Sequence, residues 1–279
     1  MLDARLVEAC LALLFGLLIG SFLNVCVYRL PQDLSVVRPR SYCPACNHPI
    51  AWFDNVPLVS YILLGGRCRH CKADISVRYP VVELMTGVLF FVFYWRLGQS
   101  HPLEAVKFCL LSALLVELTF SDLESRILPD EFTVGGIAAG LVLAWFVPVK
   151  DDFAQMLLWL AGAHGNPHWD SVSEAVLGAA GPGLFLWFGG WIYFKLRHRE
   201  GLGLGDVKLV AMVGAFLGLH GALLVMIAGS LAGSLIGYAY IRFTHKDPAT
   251  YELPFGTFLG LAGIAIALLS SRSGLQPAF

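Results

Sequence analysis

The sequence predicts an all-α polytopic membrane protein of about eight transmembrane helices, with a small cytoplasmic zinc-binding domain between the first and second. Three observations predict it. Of 279 residues, 57% are apolar and 14% charged, with a mean hydropathy of +0.69, whereas a soluble domain carries roughly 25% charge. The apolar residues gather into long stretches without strand alternation. Four cysteines stand as two C-x-x-C pairs in one polar loop. This composition excludes disorder and leaves a water-soluble single domain nowhere to bury its apolar surface. A net charge of −1 offers no basic face to nucleic acid.

A hydrocarbon core of about 30 Å takes roughly 20 helical residues. Apolar stretches of that kind fall near 6–28, 81–97, 103–121, 132–148, 173–195, 206–219, 221–241 and 255–271. The ten-residue alternation of a membrane barrel is missing, and helices satisfy their own backbone groups in lipid. The first stretch, within 1–28, reads as a retained span rather than a signal peptide. Its leader sets Arg5 against Asp3 and Glu8, the apolar run continues to Tyr28, and no small-x-small cleavage site follows. The sixth, Val207 to Leu219, is short for a full crossing.

Orientation follows from Lys and Arg in the connections. With eight spans, the loops near 29–80, 122–131, 195–206 and 242–254 share one side. Counting Lys208, that side holds fourteen basic residues, against five on the other (Arg5, Arg96, Lys107, Lys150 and Arg272). The long first loop is therefore expected in the cytoplasm and both termini outside. The outer connection, at about 149–172, places Phe153, Met156, Leu157 and Leu160 at helical spacing beside Trp159 and Trp169. It reads equally as an interfacial helix on the membrane or as an ordinary loop. The domain division expected is 1–28, 29–80 for the zinc loop, and 81–279 for a transmembrane core.

Cys43, Cys46, Cys68 and Cys71 form C-P-A-C, 21 residues, then C-R-H-C. Two such pairs suit tetrahedral thiolate coordination of Zn²⁺, each pair supplying adjacent corners. Cytoplasmic thiols stay reduced, which disfavours disulfides. Four thiolates leave no open position for substrate, so the ion would be structural, and His48 and His70 are not needed as ligands. Cys10, Cys26 and Cys109 lie in apolar spans as small hydrophobes.

Ionisable groups at membrane depth invite a functional reading. Asp122 ends the third span and Asp206 begins the sixth, within G-L-G-L-G-D-V-K-L. Span parity brings both to the cytoplasmic boundary, although they are 84 positions apart. Two carboxylates brought close cannot both ionise cheaply, so one holds a proton near neutral pH. The charged member can activate water while the protonated one polarises a peptide carbonyl. Gly203 and Gly205 remove side chains beside Asp206 and would permit an extended backbone there, open to an added strand. The blander alternative is that these aspartates cap helices.

These motifs together, in order along nearly the whole chain, resemble the bacterial type IV prepilin leader peptidases, members of the Gly-x-Gly-Asp intramembrane aspartic proteases. The resemblance is carried by G-S-F-L-N-V-x-x-x-R at 20–29, both C-x-x-C pairs and I-S-x-R-Y-P-V-V-E at 75–83. It continues through Asp122 with Pro129-Asp130, G-L-G-D-V-K-L at 203–209 and L-P-F-G at 253–256. It implies that Asp122 and Asp206 are the catalytic pair and that Glu124 and Asp130 are not. It also implies inner-membrane localisation, cleavage of prepilins and pseudopilins after their basic leader, and N-methylation of the new terminus with S-adenosylmethionine. No Gly-rich βαβ unit marks a nucleotide site, and the 29–83 region is the expected seat of methyl transfer. The chain departs from the pattern at Thr257, where Pro is expected after P-F-G, and in its long outer loop. An ion- or proton-coupled transporter with a regulatory zinc domain is the alternative. It would want acidic residues near mid-span.

Overall fold

The computed structural model describes residues 4–149, 166–199, 202–244 and 253–273, with positions 151, 153, 156 and 160 of the segment between. The helices are α1 (Ala4–Arg29), α2 (Val59–Leu63), α3 (Arg78–Leu97), α4 (Pro102–Ser125), α5 (Asp130–Phe146), α6 (Pro167–Arg197), α7 (Leu204–Thr244) and α8 (Phe255–Ser273). Each apolar stretch of the sequence falls inside one of them, save that 132–148 runs two residues past the end of α5. Four of these helices are long and apolar enough to cross a bilayer by themselves: α1, α3, α6 and α7. α4 carries Glu104, Lys107, Glu117, Asp122 and Glu124, while α5 has only 17 residues, or about 26 Å.

The chain forms two compact units, residues 1–120 and 121–279. In the first, α1 and α3 run antiparallel. Arg5 reaches the Trp95 carbonyl near one end, and the Asn24 amide donates to the Gly20 and Tyr79 carbonyls, at 3.2 and 3.0 Å, near the other. That assigns Asn24 a structural bond between helices, as polar groups in lipid provide. The first half of α4 joins them, with Phe108 stacked on Phe93 at 5.2 Å.

In the second unit, α5, α6 and α7 meet along small residues. A side chain on Gly178 would strike the Gly214 and Gly218 backbone, so bare glycines let α6 and α7 touch main chain to main chain. α7 is broken at Gly218, whose φ of 78° belongs to the left-handed region open to glycine. The break separates the two apolar stretches predicted at 206–219 and 221–241. Its first half lies along α5, with Lys208 on Asp130 and Gly140 on Ala215. Gly229 and Gly233 of the second half meet Leu259 and Phe258 of α8, and Gly237 meets Leu253 just before it, in antiparallel order. Thr257 of α8 is bonded to Asp122 near the start of α7, so Gly237, against Leu253, has returned to that same end. The chain thus doubles back at Gly218. The Asp151 carboxylate accepts from the His220 N–H at 2.8 Å, capping the second half where its first turn lacks partners.

The interfacial helix expected over 150–171 falls largely outside the described residues, Leu157 and Trp159 among them. Phe153, Met156 and Leu160 are helical and exposed. Gly214→Val drives a branched side chain into the α6 backbone and is expected to cost more than the 1–3 kcal/mol or so of ordinary overpacking. Gly135→Ala, with nothing within 4 Å of the added carbon, should leave stability unchanged or slightly higher. Thermal unfolding of the detergent-solubilised variants measures the contrast, and equal midpoints would refute the close helix contact.

Candidate active site and metal centre

In the second unit, α4 ends at Ser125 and the chain turns at once into α5. Arg126 closes the helix in the left-handed conformation, its N–H donating to the Asp122 carbonyl at 3.0 Å. The Ser121 hydroxyl holds the Ile127 carbonyl at 2.8 Å, and the Thr133 N–H and hydroxyl both reach the Pro129 carbonyl. Four local bonds therefore fix the turn that carries Leu128.

Two further helix ends converge on that turn. A side-chain carbon on Gly205, in the first turn of α7, would stand 3.1 Å from Leu128. One on Gly256, in the first turn of α8, would stand 3.0 Å from the Asp122 carboxyl carbon and 3.1 Å from Leu128. Larger residues at either position would push the helix ends apart. Asp122 is buried and Asp206 half-buried, and the two carboxylates are close enough for their charges to repel. The Thr257 N–H and hydroxyl donate to Asp122 Oδ2 at 2.6 and 2.8 Å. At the edge, Lys208 Nζ lies 2.6 Å from Asp130 Oδ1, tying the first turn of α7 to that of α5.

The sequence-predicted aspartates are thus brought together, and Gly205 stands at their helix junction. Gly203 precedes α7, and Asp206 itself is helical. The extended backbone expected at Gly205 is corrected: Gly205 lies in the first helical turn of α7, against the side chain of Leu128. Gly256 and Thr257 were not assigned a role by sequence. The signal for them was L-P-F-G directly before an apolar span. The Glu83 carboxylate accepts from the Leu58 N–H at 2.8 Å, and Arg29 donates to the Ser35 and Arg40 carbonyls.

In the first unit, the Sγ atoms of Cys43, Cys46, Cys68 and Cys71 all lie within 4.8 Å of one another, with Cys43 and Cys71 at 3.8 Å. A tetrahedron with metal–sulfur bonds of about 2.3 Å has edges of about 3.8 Å, so the set fits a single ion. The two C-x-x-C turns are built alike. The Cys43 N–H donates to the His48 carbonyl and the Asn47 N–H to the Cys43 carbonyl; Cys68 does the same with Ala73, and Lys72 with Cys68. Asn47 and Lys72 both take left-handed φ, 56° and 61°. The flanking bridges Tyr42–Pro49 and Arg67–Asp74 repeat at the same offsets. Backbone N–H groups of Cys71 and His70 hold the Cys68 thiol down to about 6. Cys46, although the His48 backbone bonds to it, is pushed up to about 11 by loss of water and by the other three thiols. Four sulfurs in this space need a cation before all can be thiolates. Asp54 and Asp74 pair with Arg69 and Arg67, and Arg69 holds the Asp54 carboxyl below the usual range.

Residues 14–97 match the family described as the bacterial peptidase A24 N-terminal domain, and residues 109–238 match the type IV leader peptidase family. A "Prepilin leader peptidase/N-methyltransferase" of Myxococcus xanthus is 42% identical over 83% of this chain, which spans 62% of that relative's length. Proteins of the same name from Aeromonas salmonicida and Pseudomonas aeruginosa are 36% and 34% identical, over 93% and 92% of this chain and 89% and 88% of their own. No solved structure matches. Metal analysis of the purified full-length protein is expected to give one ion per chain. A Cys43→Ser, Cys68→Ser double variant is expected to have lost it, and a full equivalent retained there would overturn the thiolate centre.

Proposed function

The chain belongs to the type IV leader peptidase family, and from that membership we propose that it removes the basic leader of type IV prepilins and pseudopilins, using Asp122 and Asp206 as its hydrolytic pair. What carries the reading is the convergence of these two carboxylates, 84 positions apart, where the last residues of α4 meet the first turns of α7 and α8. The turn of Leu128 and the glycines at 205 and 256 bring the helix ends together. An aspartate pair needs that proximity to share one proton. The ionised carboxylate deprotonates a water as it attacks the scissile carbonyl, and the protonated one hydrogen-bonds the carbonyl oxygen.

On this reading the protein lies in the bacterial inner membrane and crosses it eight times. The spans are α1, α3, α4, α5, α6, the two halves of α7, and α8, with both termini outside. The site then faces the cytoplasm, where the fourteen-to-five bias of basic residues points. A prepilin presents there a basic leader followed by an apolar helix. Residues 29–80 form the metal-binding loop, with Zn²⁺ held by Cys43, Cys46, Cys68 and Cys71. The ion fixes the two turns and takes no part in hydrolysis. Residues 81–279 form the transmembrane core.

The relatives' name extends the reading to N-methylation of the new terminus, with S-adenosylmethionine as donor. A cavity of about 320 Å³ in the first unit is lined by Leu18, Phe22, Val25, Arg29 and Arg40 among others, without an acidic side chain. Its arginines suit the donor's carboxylate, while no side chain of the lining offers a carboxylate to the sulfonium, the ammonium or the ribose hydroxyls.

Asp122→Asn and Asp206→Asn are each expected to slow prepilin cleavage by at least about 10³-fold, while the bound metal and the thermal midpoint stay as in wild type. Gel-resolved cleavage by the solubilised full-length enzyme measures this. Undiminished cleavage by either variant removes the dyad.

A further inference from the structure

Asp122 and Thr257 are 135 positions apart, yet two hydrogen bonds join them, both to Oδ2. Both residues are buried. Thr257 is the third residue of α8, so its N–H is one of the donors that a first helical turn leaves without an intrahelical partner. That turn also carries the positive end of the helix dipole. Arg126, on the turn after α4, adds a positive charge nearby. An oxygen that already accepts two donors is a poorer seat for a proton than one that accepts none. Among the described residues, no donor reaches the Asp206 carboxylate in this way.

We propose that Thr257 is a positioning residue that keeps Asp122 as the ionised member of the pair and so assigns the shared proton to Asp206. The inference rests on the dyad reading above. Asp122 Oδ1 is left to take a proton from water as the water oxygen bonds to the scissile carbonyl carbon. Asp206 gives its proton to the carbonyl oxygen, forming a gem-diol. The carbon–nitrogen bond then breaks as the amine takes the proton from Asp122, and one diol hydroxyl returns a proton to Asp206. The pair ends as it began, and no co-reactant is consumed.

The test uses the full-length solubilised enzyme and a prepilin. Thr257→Val keeps the shape and removes the hydroxyl, and Thr257→Ser restores it. We expect kcat to fall about tenfold in Thr257→Val, the loss of one hydrogen bond to a charged group. KM should change little, because Thr257 does not touch substrate. Thr257→Ser should recover the wild-type kcat, with the thermal midpoint of both variants unchanged. Wild-type kcat in Thr257→Val overturns the assignment. So does a loss of kcat that Thr257→Ser shares and that follows a fall in thermal midpoint, since that is packing. Wild-type cleavage by Asp122→Asn would instead remove the dyad beneath it, and so tells the two failures apart.

Discussion

The site depends on one constraint: a carboxylate withdrawn from water at the end of α4 must be held by donors that the chain brings from elsewhere. Asp122 finds them in the first turn of α8, where the N–H and hydroxyl of Thr257 meet one oxygen. Everything nearby serves that meeting. The short turn through Leu128, the bare backbone at Gly205 and Gly256, and the Lys208–Asp130 pair set the ends of four helices against one another. Replace the glycines with larger residues and the helix ends separate, taking the donors out of reach of the acid.

The metal centre solves a different problem by duplication. A polar loop between two apolar helices has little core of its own, and α2 is only five residues long. Two turns of the same design, each with a cysteine at both ends and a left-handed residue after the second, face each other across the sulfurs. An ion held at that point closes a long excursion of chain, and loop closure of this kind reduces the freedom of the unfolded state.

Much of this was legible in the residues themselves. The apolar stretches marked the long helices, the spacing of Cys43, Cys46, Cys68 and Cys71 marked the thiol cluster, and Asp122 and Asp206 stood out as acids at the ends of apolar stretches. What escaped reading was tertiary. Nothing in the run around Glu83 reveals that its partner is the Leu58 N–H, because that contact depends on how the loop folds over α3. The place of Thr257 was visible only as a departure from a pattern, since its donors acquire meaning from a carboxylate 135 positions away. Gly205 was expected to loosen the backbone. In the fold it allows close approach to Leu128 within a helical turn.

The reversal at Gly218 makes the first half of α7, from Leu204, 14 residues long, about 21 Å at 1.5 Å per residue. That is well short of the roughly 30 Å of hydrocarbon it is read as crossing. Hydrophobic mismatch of this size is relieved by thinning the surrounding lipid or by sinking the polar terminus beneath the headgroups. On the proposed eight-span reading, either response lets water and headgroups reach nearer the bilayer middle beside this helix than beside an ordinary span.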